Sequence, residues 1–280
     1  MSTPSETVTT ALLKEWGLPE PGNSKKSRGR VIVVGGSRRS PGAVQLAGEA
    51  AMRVGAGRLG LVVPQSVDAQ LSVTMPEAAI LALPDDADKP LTGSLRDEVG
   101  GADAVLVGPG FDDADETRAT LLAVAEARPP CLVLDAYGLG VLPAIDRSAL
   151  PAALILNPNE EEAARLLDRE LGDDRLADLR EIAERYDAVV NCYGTIVSPN
   201  GQSWVVEGGG PGLGTSGSGD VLAGAITGFA ARGVPPERAA VWGSWAHAWA
   251  GDRLTERAGL GFLARQLPEQ LAFAVLDALG

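Results

Sequence analysis

The chain of 280 residues is short of the groups that most often announce a chemistry. It has a single histidine, His247, which excludes a multi-histidine metal site and leaves little room for a Ser-His-Asp triad. The serine in "GTSGS" also lacks the second glycine of a nucleophile elbow. There are only two cysteines, Cys131 and Cys192, each inside an apolar strand-like run. Such isolated thiols fit neither a disulfide framework nor a metal cluster, and point to buried residues in a reducing cytoplasm. Aromatics make up 4%, so the core must be built from Ala, Val, Leu and Ile. No apolar run reaches the roughly 18 residues that a membrane span needs, and the start "MSTPSETVTT" is too polar for a signal peptide. A soluble, intracellular protein is expected. No Gly-Lys pair occurs anywhere, which rules out a Walker A loop. Positive charge is the minority: 24 Lys and Arg against 37 Asp and Glu give a net charge of −13. That balance argues against nucleic-acid and anionic-membrane partners. A polyanionic ligand must then be held locally, by backbone amides, a helix terminus or a metal.

What is present is alternation. "RVIVVGG" is a short apolar run ending in glycines, and "AVQLAGEAAMRVGAG" and "RLGLVVP" follow as helix and strand. The pattern continues with "ADAVLVGPG", "DETRATLLAVAEAR", "CLVLDAYG", "ALILNPN", "EEEAARLLDREL" and "DAVVNCYG". "TIVSPNGQSWVVE" reads as two antiparallel strands around an Asn200-Gly201 turn. Helices close the chain: "GDVLAGAITGFAARG", "ERAAVWGSWAHAWAGDRLTERA" and "LARQLPEQLAFAVLDAL". Strands alternating with helices predict a three-layer α/β/α sandwich around a mostly parallel sheet. A single domain over 1–280 is expected, with residues 1–29 as an N-terminal helix and arm. In open α/β sheets ligands bind beyond the carboxyl ends of the strands, and here those ends carry "GGS", "GPG", "DAYG", "NPNE" and "NCYG".

"GTSGSGDVLAG", Gly214 to Gly224, runs straight into an apolar helix. It reads as a flexible loop, as a dinucleotide fingerprint, or as an anion site at a helix N-terminus. The fingerprint falls late in the chain and lacks its acidic partner. Asp220 is either a helix cap or a base that takes a proton from a hydroxyl while neighbouring amides stabilise a transferring phosphoryl group. The small residues before it favour the anion site.

"GSGDVLAGAITGFAARG" resembles the Gly-Thr-Gly-Asp motif of ribokinase-like enzymes, and more closely that of the ADP/ATP-dependent NAD(P)H-hydrate dehydratases. "RVIVVGGSRRSPGAVQLAGEAAMRVGAGRLGLVVP", "MPEAAI", "ADAVLVGPGF", "LVLDAYGLGVL" and "HAWAGD" follow that family's order, from about residue 25 to the C-terminus. The resemblance implies a ribokinase-like fold and nucleotide-dependent dehydration of hydrated NADH or NADPH (NADHX, NADPHX) by phosphoryl transfer and elimination. It implies ADP or ATP as the nucleotide; Mg2+ as a cofactor and a homo-oligomer are also expected. Asp220 would be the base, with Gly217, Ser218 and Gly219 as the anion hole. Gly194 and Thr195 would lie against the nucleotide, and Ala43, Gly108 and Gly110 would line the hydrate pocket.

This chain departs from the family's pattern at Asn191, which stands where a lysine is expected on the nucleotide side. Asn159 replaces the family's histidine among the substrate-binding residues, and Tyr137 and Gly138 replace its Asp-Ala. Asp135, at a strand end, is expected to help hold substrate or a metal. Asn159 to Glu162 also has the Asn-x-x-Glu spacing of other ribokinase-like kinases, which would make Glu162 a magnesium-positioning residue. A small-molecule kinase, or a nucleotide-binding homologue with reduced or lost activity, therefore stays open. Arg38 and Arg39 read either as phosphate contacts or as a solvated loop. His247, with Trp242, Trp245 and Trp249, reads as a packed aromatic face or an oligomer surface.

Overall fold

The computed structural model describes residues 4–84, 91 and 93–280. Ten strands form one sheet: β1 (Glu6–Thr7), β2 (Arg30–Val34), β3 (Arg58–Val63), β4 (Ala78–Ala82), β5 (Ala104–Val107), β6 (Cys131–Leu134), β7 (Ala153–Leu156), β8 (Val189–Cys192), β9 (Thr195–Val197) and β10 (Ser203–Val205). Their order is β1-β10-β9-β8-β7-β6-β5-β2-β3-β4. Among the described residues only the ladders of β9 with β8 and β10 are antiparallel. The chain order reverses between β2 and β5, which pair in parallel with Val31 opposite Ala104. That makes this edge a topological switch point.

The central strands are apolar throughout because both sheet faces are covered. Val31 and Val33 point into one core, while Ile32 and Val34 point into the other. Val133 and Ile155 join the first core, and Leu132, Leu134, Leu154 and Leu156 the second. The first face is covered by helices Gly42–Arg53, Ser218–Ala231, Pro236–Ala258 and Leu267–Leu279, the second by Ala114–Glu126, Glu160–Leu167 and Arg175–Tyr186. With few aromatics to fill space, the helices close up on small residues. A Cβ on Gly224 would sit 2.1 Å from the Ala47 carbonyl oxygen, so these two helices touch backbone to backbone.

The Asn200-Gly201 hairpin forms as expected: Ser198 N donates to Gln202 O at 2.9 Å, with Gly201 at φ +86°. Two strands lie where the sequence pattern carries no strand signal. β1 is only two residues long, and β4 is a half-exposed edge strand of mixed composition. The stretch "EEEAARLLDREL" ends as a helix at Leu167, because Asp168 turns left-handed (φ 58°), and a separate helix begins at Arg175.

Candidate active site

The carboxyl edge of the sheet opens into a cavity of about 600 Å3 walled by Asp135, Asn157, Asn159, Glu162, Gly194, Gly217, Ser218, Gly219 and Asp220, among others. Its floor is the start of the Ser218–Ala231 helix. Gly217 occupies the N-cap position at φ 90°, where a side chain is disfavoured, and no side chain caps the first turn. Ser218 N donates to Thr215 O at 3.2 Å and Val221 N to Gly217 O at 3.2 Å. Among the described residues nothing takes the amides of Gly217, Gly219 or Asp220. Unpartnered amides at the positive end of a helix form an anion site. The Ser218 amide is engaged within the loop, while those of Gly217, Gly219 and Asp220 stay open at the helix start.

Asp220 sits in that first turn, and burial raises its carboxyl to about 6. Asp135 follows β6 on the facing wall and is buried; burial raises its carboxyl well above the usual range, and the charges of Asp220 and Glu162 push the same way. Its backbone is unusual as well, since the next residue, Ala136, lies at φ 48°, ψ −122°. Strain of this kind persists where surrounding structure over-determines the chain. Gly108 (φ 131°) lets β5 run against this turn, because a Cβ there would meet the Asp135 carbonyl oxygen at 1.8 Å.

Behind Asp135 runs a buried polar chain. Ser244 Oγ donates to Asn191 Oδ1 at 2.9 Å, and Asn191 Nδ2 to Asn157 Oδ1 at 2.7 Å. Asn157 Nδ2 then donates to Asp135 Oδ1 at 3.0 Å. A second buried pair links Ser218 Oγ and His247 Nε2 at 3.0 Å. Burial lowers the imidazole to about 4, so His247 is neutral at physiological pH.

The structure gathers Gly217, Ser218, Gly219, Asp220, Gly194, Asp135, Asn159 and Glu162 on one wall system. Asn159 and Glu162 also bond each other in a capping box: Glu162 N donates to Asn159 Oδ1 and Asn159 N to Glu162 Oε2, each at 2.9 Å. Asn191 is fully buried beneath the cavity, with both amide atoms bonded inside the protein. Thr195 is half-buried in β9, opposite Cys192 and Val205. Ala43 and Gly110 meet at the switch point, where a Cβ on Gly110 would lie 3.1 Å from that of Ala43. Neither these two nor Gly108 is among the described residues that line the cavity; Gly110 packs instead against Gly36, which lines a second cavity. Arg38 and Arg39 are exposed and line that second cavity, of about 520 Å3, with Phe111 and Glu116. Trp242 and Trp245 are buried in the core, and Trp249 is half-buried with its Nε1 on Asp277. Trp242 and Trp245 thus belong to a packed aromatic face, while Trp249 stays partly exposed.

Asn157, Ser244 and the contact from His247 to Ser218 lay outside the sequence reading. Only the "NPN" at a strand end hinted at the first.

A family model described as NAD(P)H-hydrate dehydratase matches residues 31–272. The chain belongs to that family. It is 42% identical over 287 residues to the ADP-dependent (S)-NAD(P)H-hydrate dehydratase of Xanthomonas campestris, covering 98% of this chain and 96% of that one. It spans about half the length of the bifunctional NAD(P)H-hydrate repair enzymes it also matches. Among solved structures it is similar to the ADP/ATP-dependent NAD(P)H-hydrate dehydratase of Bacillus subtilis co-crystallised with ATP/Mg2+ (TM-score 0.84, 25% identity, 98% of this chain and 99% of that one). A ribokinase-like superfamily protein from Enterococcus faecalis shares the fold at TM-score 0.85 and 24% identity, covering 98% of this chain and 96% of that chain. The NAD(P)H-hydrate dehydratase chain thus has the ribokinase-like α/β fold expected of it.

Proposed function

We propose that this protein dehydrates the 6-hydrate of NADH or NADPH, using ADP or ATP. The observation that carries the reading is the uncapped first turn, with free amides at Gly217, Gly219 and Asp220, beside the half-buried Asp220 carboxylate. Asp220 removes the C6 hydroxyl proton as the oxygen attacks the terminal phosphoryl group of the nucleotide. The amides face the charge that develops on the phosphoryl oxygens. Phosphate then leaves C6 as the dihydropyridine ring re-forms. An acid raised to about 6 remains a carboxylate at neutral pH and keeps a higher proton affinity than an exposed aspartate.

No Lys or Arg lines this cavity among the described residues, so amides and a metal must meet the phosphate charge. Among those residues no group of three or more His, Cys, Asp or Glu converges into a metal cage. Magnesium is commonly held by one or two carboxylates together with substrate phosphates. Asp135 and Glu162 would be the carboxylates that meet such an ion, which would neutralise phosphate charge. Both Gly194 and Asn159 line the cavity, and in this reading Gly194 would face the nucleotide and Asn159 the hydrate.

No helix among the described residues is long and apolar enough to cross a membrane. The free buried thiols of Cys131 and Cys192, both raised by burial to about 12, suit a reducing cytoplasm. Exposed Phe273 and Leu276 on the last helix support a homo-oligomer.

Incubation with the hydrate and ADP or ATP should restore the absorbance of reduced nicotinamide, and Asp220→Asn should abolish the recovery. A wild-type protein inactive with either nucleotide contradicts this function. A stable phosphorylated alcohol from a compound panel would instead support the small-molecule kinase.

A further inference from the structure

The turn between β8 and β9 breaks a local rule. Cys192 pairs with Thr195 across the antiparallel ladder, so Tyr193 and Gly194 alone make the turn. Both have positive φ, 48° and 78°, as a type I′ turn requires, and that turn favours Asn, Asp or Gly at its first position. A bulky residue with positive φ is strained. Nothing in the fold offsets that strain. Tyr193 is 71% exposed, the most exposed aromatic among the described residues. Among those residues no hydrogen bond or ring contact engages its side chain. A local conflict of this kind points to function rather than to packing.

The ring stands at the mouth of the cavity that holds the anion site. Val206 N donates to Gly194 O at 2.8 Å, which pins the turn to the segment that follows β10. That segment runs along the cavity wall, where Val206, Gly208, Gly210, Gly214, Gly217 and Gly219 line it in chain order. It leads from the turn to the free amides, and its glycines leave room for a ligand to lie along it. Among the described lining residues Tyr193 is the only Phe, Tyr or Trp. A nucleotide with its terminal phosphate on the amides and its body along this wall brings its base to the turn.

We propose that Tyr193 is the platform for the nucleotide base, with the adenine of ADP or ATP stacked on the exposed face of the phenol ring. The identity of the ligand rests on the dehydratase reading above. Stacking needs only an open π face, which a side chain on a two-residue turn offers without closing the cavity. With no Lys or Arg on this wall among the described residues, the base contact supplies affinity that a cation would otherwise give through the phosphates. Tyr193 thus determines nucleotide affinity and takes no part in proton or phosphoryl transfer.

Calorimetric titration of the full chain with ADP and with inorganic pyrophosphate, alongside thermal melting, tests this. Tyr193→Asn should bind ADP about 10-fold more weakly or worse. Pyrophosphate, which has no base, should keep its affinity within about twofold. The same variant should melt about 2–4 °C above wild type, since Asn-Gly is a pair this turn favours. Tyr193→Phe keeps the ring and should hold ADP within about twofold of wild type. A purely structural ring predicts the reverse, a lower Tm with unchanged ADP affinity in Tyr193→Asn. That result, equal loss of ADP and pyrophosphate, or a loss in Tyr193→Phe as large as in Tyr193→Asn overturns the proposal. Binding is read without the hydrate, so the two readings fail separately. A wild-type protein that restores no ring yet shows these ADP losses contradicts the dehydratase reading and supports the platform. One that binds neither ADP nor ATP overturns both.

Discussion

The Glu160–Leu167 and Ser218–Ala231 helices both begin on the wall of one cavity, yet they treat their first turns in opposite ways. The first closes itself. Asn159 and Glu162 exchange backbone amides in a capping box, and three glutamates complement the helix dipole. The second begins at a left-handed glycine, has no side-chain cap, and carries one acid whose burial works against ionisation. Both helices had polar residues available at the start. Leaving the Ser218 turn open gives up about 1 kcal/mol that a cap normally contributes, and it leaves amides for a ligand. On the proposed function, the free helix start is the end of the cavity that would receive phosphate.

The sharpest way to break this contrast is at Asp220. Asp220→Asn should lower kcat by about 1,000-fold or more, as removal of a base plus its share of charge stabilisation does. Steady-state assay of ring recovery measures it, and loss of less than tenfold would reduce Asp220 to a dipole-complementing acid like its three counterparts. Next in size is Gly217→Ala. The new Cβ would sit at φ 90° and meet Leu46 Cδ1 at 2.6 Å, so about 1–3 kcal/mol of stability should be lost. KM for the nucleotide should rise at least about tenfold, since the turn that aims the amides is displaced. Thermal melting and nucleotide-dependent kinetics read the two effects.

The same acid gives a prediction of opposite sign for stability. The folded-state carboxyl of Asp220 lies above its unfolded value, so its stabilising contribution is complete below about pH 4 and is lost as pH rises through about 6. Asp220→Asn should thus be more stable than wild type by about 1–2 kcal/mol at pH 8, with the gain vanishing near pH 4. Urea unfolding at the two pH values checks it. The smallest effect belongs to the closed helix. Asn159→Ala should cost about 1 kcal/mol, a fall of about 2–4 °C in Tm, with kcat/KM reduced by less than tenfold. A rise in KM for the hydrate beyond what the loss of Tm accounts for would be the mark of Asn159 at the hydrate, and its absence would leave the residue a helix cap alone.

The sequence was readable where one local pattern decides the structure. "RVIVV" and "CLVL" are apolar on both faces and could only be covered strands, while "PNG" between apolar runs fixes its hairpin. β4, half-exposed at an edge with the run "AAILA", offers neither alternation nor a fully buried stretch. At the site, glycines running into an apolar helix exposed Asp220 and its loop, because backbone freedom and position lie in one continuous stretch. The Ser244–Asn191–Asn157–Asp135 chain draws on four separated segments. No local pattern announces it, and Asn191 on its own looked only like a missing lysine. Likewise His247 was legible as core, but its bond to Ser218 depends on how the Pro236–Ala258 helix packs against the anion-site helix.

The most direct test of the open helix start is a crystal structure with ADP and the hydrate bound to the Asp220→Asn protein. The account predicts terminal phosphate oxygens on the amides of Gly217, Gly219 and residue 220, with the C6 hydroxyl within hydrogen-bonding reach of the side chain at 220. Phosphate seated elsewhere, with those amides facing only water, would contradict it.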